Sequence, residues 1–345
     1  MVSGKHLLVI RLSAMGDVAM TVPVLAALLD QYPDIKITFL TRGFFKPMFS
    51  QLINVTVFEA DVKGRHKGIF GLYKLYKELA TLNIDAVADL HNVLRSSILK
   101  FYFLFGTIPV YQIDKGRNEK KTLTDLKDKT FVQLKTTHQR YADVFEKLGF
   151  KIAIDKAPLL SKTSLTTKTQ NKIGSDTKKW IGIAPFAAFL GKMYPLDLME
   201  KVVLMLNNTE KYKIILFGGG VNEKKQLDEW QLKYTNCINM THQVSFQEEL
   251  ALISQLDTML AMDSGNAHLA AMYGIPTITL WGVTHPYAGF YPFGQDATNA
   301  ILADKKQFPL IPTSIYGNKY PEGYENAMNT ISPDTIFRKI EQLLE

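Results

Sequence analysis

Thr258-Met-Leu-Ala-Met-Asp-Ser-Gly-Asn-Ala-His-Leu-Ala-Ala-Met-Tyr-Gly-Ile-Pro-Thr-Ile-Thr-Leu280 is the stretch that decides the fold. Thr258–Met262 is an apolar run of strand length, and Asp263-Ser264-Gly265 is a polar turn. Asn266–Tyr273 reads as a helix that stops at Gly274, and Ile275–Leu280 as a second strand. A strand, a crossing helix and a strand in that order build a parallel sheet with a helix on its face.

Outward from this unit the same alternation recurs. Upstream lie a strand at Trp180–Ala184, a helix at Leu196–Asn207, a strand at Tyr212–Phe217 ending in Gly218-Gly219-Gly220, and helices at Glu223–Tyr234 and Gln247–Ser254. The first half offers strands at Lys5–Leu12, Ile35–Leu40, Val55–Glu59, Ile84–Leu90 and Ile108–Ile113, and helices at Tyr73–Leu82, Arg95–Phe105 and Gln139–Leu148. Residues 151–178 are rich in Lys, Thr and Ser with little periodicity, the composition of a domain connection. The expected fold class is therefore α/β, two Rossmann-like doubly wound domains at 1–165 and 166–345. A cleft is expected where their strand ends face each other. The final helix, Pro333–Leu344, could pack on either half.

Bulk properties narrow the function. At 345 residues with 46% apolar side chains, the chain can bury two cores. A single cysteine, Cys237, excludes an internal disulfide and suits a reducing, cytoplasmic compartment. The seven histidines show no metal-ligand spacing, so no metal site is expected. Arg11, Asp17 and Pro23 break the first apolar stretch, which excludes a signal peptide. The run Phe101–Phe105 is far short of the roughly 20 apolar residues of a spanning helix, so any membrane contact is peripheral. Residues 1–175 carry 26 Lys and Arg against 15 Asp and Glu, whereas residues 176–345 carry 14 against 18. The basic half suits an anionic partner. No nucleic-acid motif accompanies it, and a well-solvated surface is the plainer reading.

Five loops carry candidate chemistry. In Arg11-Leu-Ser-Ala-Met-Gly16-Asp17, Asp17 either caps a helix, worth about 1 kcal/mol, or serves as a general base toward a hydroxyl. The loop lacks the glycine spacing of a dinucleotide fingerprint, which counts against an NAD enzyme. In Asp263–His268, the backbone N–H groups of Ser264, Gly265 and Asn266 open a helix and suit a phosphate, with His268 one turn behind Ser264. Its plainer reading is a self-capped turn with a packed histidine. Lys192, closing the Pro185–Lys192 loop, is either a solvated lysine or a clamp for a diphosphate leaving group. Glu223, after the three glycines, either stabilises a helix start or takes ribose hydroxyls. Trp281-Gly-Val-Thr-His-Pro286 supports these as further cleft wall.

Taken together, these residues resemble the lipopolysaccharide heptosyltransferases, glycosyltransferase family 9. The pieces are Ser13–Asp17, Lys192, Gly218–Glu223, Asp263–Ala271, Gly274-Ile-Pro276 and Trp281-Gly282, in order through nearly the whole chain. The resemblance implies a GT-B fold and inverting, metal-independent transfer, with no cofactor beyond an ADP-sugar co-substrate. It implies an acceptor held by the first half and the donor by the second. Asp17 then looks like the base, Lys192 like the diphosphate clamp, and Ser264, Gly265, Asn266 and His268 like donor contacts. Asp263 looks like a positioning residue and Glu223 like the ribose ligand. Arg65, Arg95 and Arg117 are the candidates for an anionic acceptor, a lipopolysaccharide core or lipid-linked glycan, with peripheral inner-membrane contact and no nucleic acid. The chain departs from the family in Met193-Tyr194-Pro195, where a tryptophan is common, and in Phe186-Ala-Ala-Phe189, where hydroxyl residues are common. Two rivals remain open: a sugar-nucleotide epimerase, which needs no acceptor, and a catalytically silent nucleotide-binding protein.

Overall fold

The computed structural model describes residues 4–105 and 108–345. In chain order these form β1 (His6–Ile10), α1 (Met15–Ala19), α2 (Thr21–Gln31), β2 (Lys36–Thr41), β3 (Val55–Glu59), α3 (Gly68–Ala80), β4 (Ala86–Asp89), α4 (Leu94–Phe105), β5 (Val110–Gln112), α5 (Arg117–Leu123) and α6 (Thr137–Lys147). They continue as α7 (Thr167–Ile173), β6 (Lys179–Ala184), α8 (Leu196–Asn208), β7 (Tyr212–Leu216), α9 (Val221–Lys233), β8 (Cys237–Asn239) and α10 (Phe246–Ile253). The chain closes with β9 (Thr258–Met262), α11 (Gly265–Met272), β10 (Thr277–Trp281), β11 (Ala300–Leu302) and α12 (Pro333–Leu344).

Two compact units result: Met1–Lys115 with Thr136–Leu160, and Gly116–Lys135 with Ser161–Glu345. The segment 116–135 departs from the single expected division at 165. Leu134 donates its N–H to the Tyr287 carbonyl, and the Lys129 ammonium bonds the carbonyls of Leu123, Leu310 and Pro312. Those bonds tie the segment to the second unit. The expected connection is also not featureless, since Thr166 caps α7 within it.

The first unit holds a parallel sheet in the order β3-β2-β1-β4-β5. Leu8, Ile10, Val87, Leu72, Leu75, Leu79, Leu99 and Phe103 fill one side of it. The second unit holds a parallel sheet in the order β11-β10-β9-β6-β7-β8. Strands β7, β9 and β10 are buried along their whole length, because helices cover both faces of a doubly wound sheet. The edge strands β8 and β11 are three residues each, too short for periodicity to reveal. Helix α12 lays Ile336, Ile340 and Leu344 on the core beside α8, so the last helix belongs to the second unit.

Each sheet has one point where strand order reverses. In the first unit it lies between β1 and β4, and in the second between β6 and β9. Helices leave opposite faces there, so the loops at the strands' carboxyl ends open a crevice. The Arg11–Asp17 and Pro185–Lys192 loops and the Asp263 turn all leave those strands.

Candidate functional site

In the first unit, β1 delivers Arg11 almost fully buried, 6% exposed. Its Nη1 donates to the Leu90 carbonyl at 2.8 Å, at the end of β4. Its Nη2 meets Asp17 Oδ2 at 2.6 Å. The same oxygen accepts the Ala14 backbone N–H at 3.2 Å, and the Tyr141 hydroxyl donates to the Asp17 carbonyl. Asp17 thus sits at the third position of α1 and reaches back to the residue before the helix, rather than capping it from in front. One oxygen is committed. Oδ1 has no hydrogen-bond partner within the protein among the described residues, and the side chain is 27% exposed.

Two groups near that carboxylate have shifted ionisation. Burial works against the Arg11 charge, but Tyr141 and Asp17 outweigh it and the guanidinium's pKa rises. Burial, then Arg11 and Lys115, push the His91 imidazole down to about 3, so it stays neutral. Asp89 Oδ1 accepts the N–H groups of His91 and Asn92, which shapes the loop after β4. The loop order in the sequence pointed to Asp17. It offered no role for Arg11, whose signal was an arginine at a strand end six residues before an acid.

In the second unit, the Asp263 turn and the Lys192 loop flank the β6–β9 reversal. Lys192 Nζ lies 3.3 Å from Asp263 Oδ2, and both side chains are largely buried. The Thr284 hydroxyl donates to the same oxygen at 3.0 Å. Lys192 is therefore a held cation, not a solvated one. Its stem lies against Gly317, whose φ is +78°, where a Cβ would fall 2.2 Å from Lys192 Cγ. Gly317 is a site residue that sequence reading missed, for it lies 125 positions downstream in a plain turn.

The turn itself is open. Ser264 is the N-cap of α11 yet makes no capping bond, and the third helical position is Ala267, which has no carboxylate to reach back. Ser264 Oγ and Asn266 Oδ1 are shielded from solvent without a hydrogen-bond partner. The expected alternative, a self-capped turn, is not what forms. His268 is buried one turn along, 8% exposed, so its packing is as the plainer reading had it. A helix start with free N–H groups, two orphaned polar atoms and a buried lysine nearby is equipped to receive an anion.

Glu223 presents the contrast. Its Oε2 accepts the N–H groups of Gly219 and Gly220 at 2.6 and 3.1 Å, closing a capping box on α9. That oxygen serves the fold, which leaves Oε1 for any ligand. Trp281 does not form a wall: it is 1% exposed, and its indole N–H donates to Thr279 Oγ1. His285 is likewise packed, against Phe131 and Tyr287, and burial pushes its pKa down to about 4. Tyr194, two residues after Lys192, is buried, and its hydroxyl donates to the Ile331 carbonyl.

Of the three candidate arginines, Arg65 and Arg95 lie in the first unit and Arg117 in the second. Arg65 is half exposed and paired with Glu78 at 3.2 Å. Arg95 lines a pocket of about 360 Å³ with Arg42, Glu59, Asp61 and Lys63. Arg117 is exposed at the start of α5, in the segment that packs with the second unit. Among the described residues no group of three or more His, Cys, Asp or Glu side chains is placed to hold a metal. Among them too, no helix is long and apolar enough to cross a membrane.

The family model for glycosyltransferase family 9 (heptosyltransferase) matches residues 72–311. Lipooligosaccharide heptosyltransferase 2 of Haemophilus influenzae is 26% identical, with 98% of this chain and 99% of that protein covered. A family 9 glycosyltransferase structure from Veillonella parvula superposes with a TM-score of 0.76 at 20% identity, covering 100% of this chain and 98% of that one. The E. coli heptosyltransferase WaaC with ADP gives 0.69 at 18% identity, covering 98% and 99%. These superpositions bear out the GT-B fold class.

Proposed function

This chain belongs to glycosyltransferase family 9 (heptosyltransferase), and from that premise we propose that it transfers a heptose from ADP-heptose to a lipopolysaccharide core acceptor. The observation that carries the donor assignment is the uncapped start of α11, with Ser264 Oγ and Asn266 Oδ1 unpartnered and Lys192 held on Asp263. A diphosphate there accepts the first N–H groups of α11 and the Ser264 hydroxyl. Lys192 shares its charge between Asp263 and the phosphates, and neutralises the charge that grows on ADP as the bond breaks. His268 and Glu223 Oε1 supply further donor contacts.

In the first unit, Asp17 acts as the base. Arg11 and the Ala14 N–H hold Oδ2, so Oδ1 is aimed and fixed. It takes the proton of the acceptor hydroxyl as that oxygen attacks the anomeric carbon, and ADP departs with inversion. A metal has no assigned step, because a lysine and backbone dipoles meet the leaving group. The acceptor is lipid-linked in this reading, which brings peripheral contact with the inner membrane, and Arg95 with Arg42 and Lys63 offers its anionic groups a pocket. The family match favours transfer over epimerisation.

Incubation with ADP-heptose and a heptose-deficient core acceptor, followed by mass spectrometry, tests the reading. Product heavier by one heptose, formed only when acceptor is present, is expected. ADP-sugar isomerised without acceptor, or ADP bound with no turnover on any core acceptor, would overturn it.

A further inference from the structure

Helices α3 and α4 carry more apolar surface than the fold uses. Leu72, Leu75 and Leu79 of α3 and Leu99 and Phe103 of α4 face the core. The opposite side is apolar as well. Phe70 is 91% exposed, Leu94 77%, Phe105 75% and Ile69 64%, with Tyr73, Phe101 and Leu104 also exposed. Rings link the two helices: Tyr73 meets Tyr102 at 5.4 Å between ring centres, Tyr102 lies 6.2 Å from Phe101, and Phe101 meets Phe105 at 4.7 Å. An apolar surface of that extent on a helix pair calls for an occupant.

We propose that the outer face of α3 and α4 is a docking surface for an anionic phospholipid bilayer. Charge selects this occupant. The two helices carry Lys74, Lys77, Arg95 and Lys100 against one carboxylate, Glu78, which Arg65 and His66 already hold. Cations around exposed aromatics match a layer of phosphates over acyl chains. A second copy of the chain would bring like charges together. At 12 residues α4 measures about 18 Å, well short of the roughly 30 Å hydrocarbon core, so the face lies on the bilayer. Tyr73 and Tyr102 present rings with a polar tip, suited to the headgroup level. The inference rests on the proposed lipid-linked acceptor only in that such an acceptor resides in a bilayer.

Co-sedimentation of the full chain with acceptor-free vesicles tests it. Binding to phosphatidylethanolamine–phosphatidylglycerol vesicles, weaker on phosphatidylcholine and weakened by salt, is expected. The triple variant Phe70→Ser, Phe101→Ser, Phe105→Ser should bind at least about tenfold more weakly, with unchanged thermal unfolding and unchanged transfer to a soluble, delipidated acceptor. Lys74→Gln with Lys77→Gln should weaken binding several-fold on anionic vesicles only. Wild-type protein that ignores anionic vesicles, a triple variant that binds as wild type, or a dimer abolished by the same triple variant would overturn the proposal. Vesicle binding without heptose transfer would instead count against the enzymatic reading alone.

Discussion

The turn after β1 and the turn after β9 each leave a strand that borders the reversal of strand order in its own sheet, yet they finish their hydrogen bonding in opposite ways. Asp17 reaches back to the Ala14 N–H and to Arg11, so its short helix is closed by its own chain. Glu223 does the same for α9 through Gly219 and Gly220. At α11 the third helical residue is Ala267, no side chain closes the start, and two polar atoms stay orphaned. A self-closed turn fixes a carboxylate for work on something else. An open one keeps its N–H groups for a ligand.

The hardest test of this contrast is Asp17→Asn. It should lower kcat by about 10²- to 10⁴-fold, the range of a lost general base, while ADP affinity, a property of the other turn, stays within about twofold in calorimetry. Because Arg11 loses its anionic partner, thermal unfolding is measured in parallel. Near-normal turnover would end the base assignment. Lys192→Met keeps a stem against Gly317 but removes the charge, and should cost about 10²-fold in kcat with weaker ADP binding. Equal loss from Asp17→Asn and Lys192→Met in ADP affinity would erase the distinction between the turns.

A third test uses pH. The folded pKa of His91, about 3, lies below the ordinary 6.5, so the unfolded chain takes the proton first. Its contribution is complete above pH 6.5 and is lost as pH falls toward 3. By pH 4.5 the loss should reach about 3 kcal/mol, read as the difference in denaturant unfolding between wild type and His91→Gln. Parallel curves for the two proteins would refute it. The smallest effects separate the two kinds of helix start. Glu223→Ala should cost about 0.5–1 kcal/mol of stability, because a cap is lost. Ser264→Ala breaks no internal bond, so apo stability should hold while ADP affinity falls about threefold to tenfold. The reverse pattern would show that the open turn is not the receiving one.

Much of this is legible in the amino-acid sequence. Strand Val55–Glu59 and helix Pro333–Leu344 begin and end where periodicity and capping residues put them, since both signals are local. The candidate turns follow from strands that end in Gly, Asp or Ser. What escaped was either too short or too distant. β8 and β11 are three residues each, and α5 and α7 are seven-residue helices in polar sequence.

The amino-acid order by itself determined the α/β alternation and which loops follow the carboxyl ends of strands, because backbone propensity and hydrophobic period act over a few residues. Only the tertiary structure decided that Lys192 is held between Asp263 and Gly317, that segment 116–135 joins the second unit, and that Glu223 spends one oxygen on its own helix. Those outcomes depend on which buried polar groups find partners across the fold, and that accounting closes only when residues remote in sequence are brought within 3 to 4 Å.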